Sequence, residues 1–362
     1  MENKKQKIRF GIFPRLLITM LAIATIPLAT NWWINYQSSL QRLTNQVEQL
    51  LAAQSDGIVT YVDTWMEMNL KVLRQVALLD DVISMDKQKQ FPILKSVANE
   101  YKWVYLVYTI APDGNDVGRS DGGPSKFYGD RNYFQQAMSG ASFSAEVVLG
   151  RTNLKPTLGL AVPIYNNEQK VVGVIARGSS IADVSDNIVN AKIGKSGYAY
   201  LLDDKGKVIA HQKEEFTKVL ADFSKHAAFT GLGQASKKKV SFNDEVTGKK
   251  IFSYVQKTRY GWILVVQQDY DEAYAPVNEA NEKALVVFGV TLIFVFIISF
   301  WVASRLSRPI LNLVHIADSI SRGELNAKVN EVKRSDEIGE LARAIERLGT
   351  SMKIAIERLK HR

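Results

Sequence analysis

The chain has 362 residues, of which 46% are hydrophobic, a length that suits more than one folded unit. It contains no cysteine, so disulfide frameworks, thiolate metal sites and cysteine nucleophiles are excluded. The net charge of +9 is concentrated at the two ends, because residues 1–15 and 304–362 each carry a net +4. The long middle has no basic block, so a nucleic-acid partner is not expected, and charge placed this way is typical of membrane-helix flanks.

Two stretches contain no charged residue, residues 16–33 and residues 284–303. At about 1.5 Å per residue, each can cross a hydrocarbon core of about 30 Å, the first with help from its flanks. The excess of Lys and Arg lies on the outer side of both, which predicts cytoplasmic termini and a multi-pass protein of the inner (plasma) membrane. Alternatively, the first stretch is a cleaved signal peptide, although no clear small-x-small cleavage site follows it. The predicted segments are a cytoplasmic N-terminus (1–15), two transmembrane helices (16–36 and 284–304) and a large extracytoplasmic domain (37–283).

After the first stretch, apolar residues recur at helical spacing from Leu40 to Leu79 without a proline. This pattern predicts one long amphipathic helix. Its apolar face either packs in a core or forms a seam with a second copy of the chain.

Beyond this helix the hydrophobic period becomes two, with turn residues between short runs, which predicts an α+β fold of mostly antiparallel hairpins. The predicted strands are 103–110, 158–165, 171–177, 198–203, 207–211, 239–242, 251–256 and 262–267. The pattern Tyr108-x-Ile110-x-x-x-Gly114 recurs as Tyr200-x-Leu202-x-x-x-Gly206 with the same spacing. The repeat predicts two similar halves that divide near residue 193.

Two segments resemble the double Cache family of sensor domains. They are Val171–His211 and the motif Asp130-Arg131-x-Tyr133-Phe134-x-x-Ala137-x-x-Gly140. The resemblance covers roughly residues 40–278. It implies a long helix that carries two PAS-like modules, a distal one at about 80–190 and a proximal one at about 191–270. It also implies that a small ligand binds in the distal module.

The candidate ligand residues are Arg131, Tyr133, Tyr108 and Tyr128. Asp130 is expected to cap the following helix, which would place Arg131 in its first turn. The guanidinium of Arg131 could then donate hydrogen bonds to the carboxylate of a ligand. The alternative is that Arg131 pairs with a nearby acid and that the rings belong to the core.

The resemblance also indicates the class of ligand. Family members that bind amino acids carry an aspartate near the end of the last distal strand, where this chain has Gly178. Its aromatic doublet is Tyr133-Phe134 rather than tryptophan-tyrosine. Both departures favour an organic acid as the ligand.

After the second stretch, two heptad patterns predict a pair of helices. Pro309 is expected near the start of the first helix and Gly323 at its end, while Asp336 and Glu337 open the second. The seam positions are Ile310, Leu313, Ala317 and Ile320, then Ile338, Leu341, Ile345, Leu348, Met352, Ala355 and Leu359. Two chains could bury both seams in a parallel four-helix bundle, which predicts a homodimer.

Residues 305–357 resemble a HAMP linker. The motifs that match in order are Pro309, Gly323-Glu324-Leu325 and Asp336–Ala342, with Glu346 in place of the usual asparagine. The resemblance implies a signal relay, in which Leu341 and Ile345 occupy the second seam. A basic tail, 358–362, follows.

Together these features predict a transmembrane signal-transduction receptor of the kind used in chemotaxis. It would bind a small extracytoplasmic ligand and act on a separate cytoplasmic signalling protein. No cofactor and no enzymatic activity are expected, because the sequence contains no GxxxxGK[ST], HExxH or GxSxG motif. Two alternatives stay open: the sensory portion of a chemoreceptor, histidine kinase or cyclase that lacks its output domain, or a membrane-anchored extracytoplasmic enzyme.

Overall fold

The computed structural model describes residues 10–152, 154–244, 247–324 and 326–360, without the side chains of residues 183, 359 and 360. Most of the basic N-terminus, Leu325 and the last two residues of the basic tail therefore lie outside the described residues, as does the Leu359 side chain. The chain divides into two compact units. One is Gln41–Pro276, and the other comprises the described residues before 41 and after 276.

The first helix, α1, runs from Ile12 to Ala77 without a break. The predicted first span and the predicted sensor helix are therefore parts of one element. Pro27 lies inside it, and a single proline removes only one helical hydrogen bond. The apolar residues of its second half are buried in the sensor unit, among them Leu51, Val62 and Leu70.

The sensor unit contains two five-stranded antiparallel sheets, which confirms the predicted α+β fold. The distal sheet has the order β2-β1-β5-β4-β3, and the proximal sheet has the equivalent order β7-β6-β10-β9-β8. The strands are β1 Val104–Ile110, β2 Asp116–Arg119, β3 Ser144–Leu149, β4 Pro156–Tyr165, β5 Val171–Ser180, β6 Tyr198–Leu202, β7 Val208–Ala210, β8 Lys237–Asn243, β9 Lys250–Lys257 and β10 Ile263–Asp269. The helices are α2 Asp80–Ile83, α3 Lys87–Glu100, α4 Asn132–Met138, α5 Ala182–Val189, α6 Glu214–Lys218 and α7 Ala227–Leu232.

The internal repeat is confirmed by this common strand order. Tyr108 and Tyr200 lie on the first strand of their respective sheets, β1 and β6. The repeat glycines, Gly114 and Gly206, have φ angles of +87° and +85°. A Cβ on either would lie within 2.7 Å of the backbone of a neighbouring loop, so both turns require glycine.

Helix α8, Tyr270–Ser321, contains the second apolar stretch. The expectation that a helix begins near Pro309 is wrong, because α8 continues through this residue despite the hydrogen bond that proline cannot donate. The expected end at Gly323 is confirmed. Gly323 has a φ of +92°, and the N–H groups of Gly323 and Glu324 donate to the carbonyls of Ile320 and Ser319, as in a Schellman cap.

Both α1 and α8 contain a stretch that is long and apolar enough to cross a membrane. The ring of Phe13 lies 5.6 Å from that of Phe300, and the ring of Trp32 lies 6.4 Å from that of Phe288. The start of α1 thus packs near the end of the second apolar stretch, and the two apolar stretches run antiparallel. After α8 come a 3-10 helix, Asn330–Lys333, and the last helix, α9, Glu337–Lys360.

Candidate ligand site and relay

The four residues that were selected from the sequence line one cavity in the distal module. Tyr108 comes from β1, Tyr128 from the loop after β2, Arg131 from the position before α4 and Tyr133 from α4 itself. The cavity has a volume of about 20 Å³, enough for about one water molecule. In this state the site is closed.

Tyrosine hydroxyls form one wall of the distal cavity. The hydroxyls of Tyr108 and Tyr133 are 2.8 Å apart, and the rings of Tyr108 and Tyr128 are 4.6 Å apart. Burial raises the pKa of Tyr108 and of Tyr133, so both remain protonated and act as neutral hydrogen-bonding groups. This wall can donate hydrogen bonds to an anion without adding charge.

Arg131 is held at the edge of the cavity. Its Nη2 donates to the carbonyl of Leu149 at 3.0 Å, while its Nε is buried without a hydrogen-bond partner among the described residues. The expected helix cap at Asp130 is wrong, because Arg131 occupies the N-cap position and the Asp130 carboxylate pairs with Arg151. Asp130 is therefore engaged elsewhere, and no described acid forms an ion pair with Arg131.

Sequence reasoning missed a buried charged group behind this wall. Arg119 is 4% exposed and pairs with Asp116 at 2.8 Å and with Asp121 at 2.7 Å. Its Nη1 also donates to the Tyr128 hydroxyl at 3.3 Å. Burial would lower the pKa of Arg119, but the hydrogen bonds that it donates to the Asp121 and Asp116 carboxylates raise it, so the guanidinium stays charged. The motif Asp-x-x-Arg-x-Asp on and after the short strand β2 is the sequence signal that could have indicated this charged cluster.

The space beside Gly178 is already filled. A Cβ at this position would lie 2.6 Å from the Tyr105 hydroxyl oxygen, and that hydroxyl donates to Thr157 at 2.7 Å. Leu106, next to Tyr105, pairs directly with Gly178 across β1 and β5. A carboxylate at position 178 therefore has no room in this chain.

In the segment after the second span, α8 and α9 pack around a small apolar cluster. Its buried members include Leu313, Ile320 and Ala342, with Ile338 and Ile345 packed against them. The side chains of Leu341, Leu348 and Met352 are instead exposed in the single chain, by 48%, 60% and 40%. Some residues of the second seam thus pack against α8, whereas the others form an apolar face that is exposed in the single chain.

The start of α9 is fixed by specific contacts. The Asp336 carboxylate accepts a hydrogen bond from the Gly339 N–H at 3.1 Å and pairs with Arg334. The hydrogen bonds from Arg334 lower the pKa of Asp336 to about 2, so the cap is charged at neutral pH. A Cβ at Gly339 would lie 2.1 Å from the Arg334 carbonyl oxygen, so this approach requires glycine.

The two sheets on a long helix, the closed distal cavity and the helix pair after the second span define the class of sensory receptors. The chain belongs to the Cache-domain family, whose profile matches residues 35–277, and residues 301–353 match the HAMP domain. Both resemblances drawn from the motifs are thereby confirmed.

The curated relatives that the chain matches are methyl-accepting chemotaxis proteins. The methyl-accepting chemotaxis protein McpA of Bacillus subtilis is 22% identical over 371 residues, which cover 97% of this chain and 52% of McpA. PctB of Pseudomonas aeruginosa is 23% identical over 357 residues, covering 92% of this chain and 54% of PctB. The chain thus spans about half the length of most of the relatives it matches.

Among solved structures, the ligand-binding domain of Mlp24 with asparagine matches with a TM-score of 0.52 and 16% identity. The match covers 66% of this chain and 98% of that domain. The extracellular domain of mmHK1S-Z2, described as a histidine kinase, matches with a TM-score of 0.53 and 17% identity. This match covers 62% of this chain and 98% of that domain. These likenesses establish the fold.

Proposed function

We propose that the chain is the sensing and relaying part of a transmembrane receptor that binds a small carboxylate in its distal cavity. The observation that carries this proposal is the Nε of Arg131, a buried donor without a described partner, in a cavity that four tyrosines also line. A carboxylate could accept from the guanidinium and from the hydroxyls of Tyr108 and Tyr133. Such a ligand would satisfy a donor that is costly to leave unpaired.

The surroundings of Gly178 favour an organic acid over an amino acid. An α-ammonium group needs an anionic or acceptor-rich partner, and the Tyr105 hydroxyl occupies the place where a side chain at 178 would supply one. The Mlp24 domain is described with asparagine, but its likeness to this chain is one of fold. We therefore propose a simple organic acid as the ligand class.

The proposed topology is that of an inner-membrane protein with two spans and the sensor outside. The antiparallel packing of the spans suits termini on the same side, and basic residues flank both spans on their outer sequence ends. Residues 37–283 would then meet ligands outside the cytoplasm, while the HAMP segment lies inside.

A path from the cavity to the second span is proposed through the junction of the two modules. Strand β5, which carries Gly178, leads through α5 to Lys195 and Ser196. Their N–H groups donate to the Glu272 carboxylate on the first turn of α8 at 2.6 and 2.7 Å. Burial would raise the pKa of Glu272, but hydrogen bonds from Ser196 and Lys195 lower it to about 2. Two hydrogen bonds to a carboxylate that is charged at neutral pH therefore link the segment after α5 to the first turn of α8.

The cavity must widen for a ligand larger than water to enter, since its volume is about 20 Å³. A ligand that binds only the widened state would shift the sensor toward it. Movement of β5 would then reach α8 and, through it, the HAMP helices, which we propose to pair in a homodimeric four-helix bundle. The output would pass to a separate cytoplasmic protein.

The length of the relatives supports a second candidate, the sensory portion of a longer chemoreceptor.

The ligand proposal predicts that Arg131→Ala strongly weakens binding of a small carboxylate. Losing a charge-assisted hydrogen bond should weaken binding by about 1.5–3 kcal/mol, roughly tenfold to over a hundredfold. The measurement is calorimetric titration of the full chain in nanodiscs with acetate, pyruvate, lactate, succinate and malate. At least one acid should bind the parent chain.

The matched control is Arg151→Ala, which removes a neighbouring arginine that pairs with Asp130 outside the cavity. It should retain binding. Arg131→Lys keeps the positive charge but not the planar guanidinium with its several donors, and it should bind with intermediate affinity. The proposal fails if no acid binds the parent, or if Arg131→Ala folds and binds with unchanged affinity.

A further inference from the structure

The proximal module contains a second and larger cavity, of about 300 Å³. This volume is at the lower end of the range for small-molecule sites. It is lined by Tyr200 of β6, the counterpart of Tyr108 in the internal repeat, by His211 directly after β7, by Gln267 of β10, and by residues in and near α6 and α7. The distal and proximal cavities thus involve equivalent first strands of the two sheets.

Two buried polar groups line this proximal cavity, His211 and Gln267, which are 5% and 4% exposed. The Nδ1 of His211 accepts from the Lys213 N–H at 2.9 Å, so the ring proton is on Nε2. Burial lowers the pKa of His211 to about 4, so the ring is neutral at neutral pH. No described residue forms a hydrogen bond with its Nε2.

Gln267 supplies the complementary group. Its Oε1 is buried without a hydrogen-bond partner among the described residues, although its amide also contacts the Tyr198 hydroxyl. A buried acceptor without a partner is costly, and a ligand donor would relieve that cost. These two buried side chains therefore offer the cavity one neutral donor and one neutral acceptor.

Aromatic rings surround these groups. The His211 and Phe216 ring centres are 4.9 Å apart, those of Phe216 and Phe223 are 5.3 Å apart, and Phe223 stacks on His226 at 5.1 Å. Rings in such arrangements bind flat π-systems by stacking and edge contacts. The charged residues of the lining, Lys213, Lys225, Asp222 and Asp244, carry a balanced formal charge.

We propose that the proximal cavity is a second ligand site, which takes a small planar heteroaromatic molecule of the nucleobase type. Such a molecule presents ring N–H donors and ring or carbonyl acceptors in its plane, which match the Gln267 Oε1 and the His211 Nε2–H. Its faces stack on the aromatic wall. The neutral polar groups and the balanced charge of the lining disfavour a small anion such as the distal site would bind.

The test is equilibrium binding of adenine, guanine and uracil to the full chain in nanodiscs. We expect at least one base to bind the parent chain, and Gln267→Met to weaken that binding about tenfold, the order expected for one buried hydrogen bond. Methionine keeps the shape of glutamine and removes an unpaired buried acceptor, so the melting temperature should stay the same or rise. A purely structural glutamine would instead lower it.

His211→Phe keeps an aromatic ring but removes the Nε2–H donor, together with the Nδ1 that accepts from the Lys213 N–H, and it should weaken binding of the same base. Arg131→Ala, in the distal cavity, should bind the base as tightly as the parent. The proposal is overturned if none of the three bases binds, if Gln267→Met and His211→Phe bind with parental affinity, or if Arg131→Ala abolishes binding.

Discussion

Ile345→Glu should uncouple ligand binding from output while the affinity for the ligand changes little. Ile345 packs against the apolar cluster between α8 and α9, and its neighbours along the seam, Leu341 and Leu348, present an open apolar face. A carboxylate here both removes apolar contacts and requires a charge to be desolvated. We expect it to destabilise the helix pair by about 2–4 kcal/mol. The distal cavity lies in the other compact unit, so its binding groups are unchanged.

The measurement uses disulfide crosslinking, for which the absence of cysteine from the chain is convenient. In a parallel bundle, Leu348→Cys should crosslink across the dimer more readily than Arg347→Cys, because only the first lies on the seam. Adding Ile345→Glu should reduce the Leu348 crosslink, whereas Glu346→Gln, at an exposed neighbouring position, should leave it unchanged. Equal crosslinking at 347 and 348 would contradict the dimeric bundle and with it the relay.

Gly339→Ala should destabilise the start of α9, although helix propensity alone predicts the opposite. In an exposed helix interior, glycine to alanine stabilises by about 0.5–1 kcal/mol. At position 339 the added Cβ would lie 2.1 Å from the Arg334 carbonyl oxygen, and that oxygen also accepts a hydrogen bond from Arg343 at 2.9 Å. Relief of this clash requires backbone movement, for which we expect a cost of about 1–3 kcal/mol.

Gly57→Ala provides the matched control, because Gly57 is an exposed glycine of α1 and no atom lies within 4 Å of the place that an added Cβ would occupy. Hydrogen exchange of the amides at the start of α9 should accelerate in Gly339→Ala. In Gly57→Ala it should be unchanged there and slower around residue 57. Slower exchange at the start of α9 in Gly339→Ala would show that the close approach to Arg334 is not required.

The parts of the structure that depend on local signals could be predicted from the sequence. The Gly323 cap and the start of α9 at Asp336-Glu337 follow from short motifs, and the longest strands, β4 and β5, follow from apolar runs bounded by turn residues. Strand β2 was missed because it has only four residues and includes a glycine, and β3 because it begins Ser-Ala-Glu. Pro309 indicated a helix start, but the helix that contains the preceding apolar stretch, α8, continues past this residue to Ser321.

The candidate site was predictable only in part. Family resemblance selected four residues that line one cavity, whereas its closure depends on side-chain contacts between different strands and loops. Tyr105 reaches Gly178 because β1 pairs with β5, and Arg119 reaches Tyr128 from the next strand. Neither contact leaves a periodic signal in the sequence.

The central claim, a sensor outside the membrane with its relay inside, is tested most directly by reporter fusions. Asp204 lies in the exposed turn between β6 and β7 of the proximal module, and Arg362 is the last residue of the sequence, after the HAMP segment. Alkaline phosphatase, which is active only outside the cytoplasm, should be active when fused at Asp204 and inactive when fused at Arg362. Green fluorescent protein should give the reverse pattern. The same compartment at both positions would contradict the receptor topology and with it the proposed route from ligand to relay.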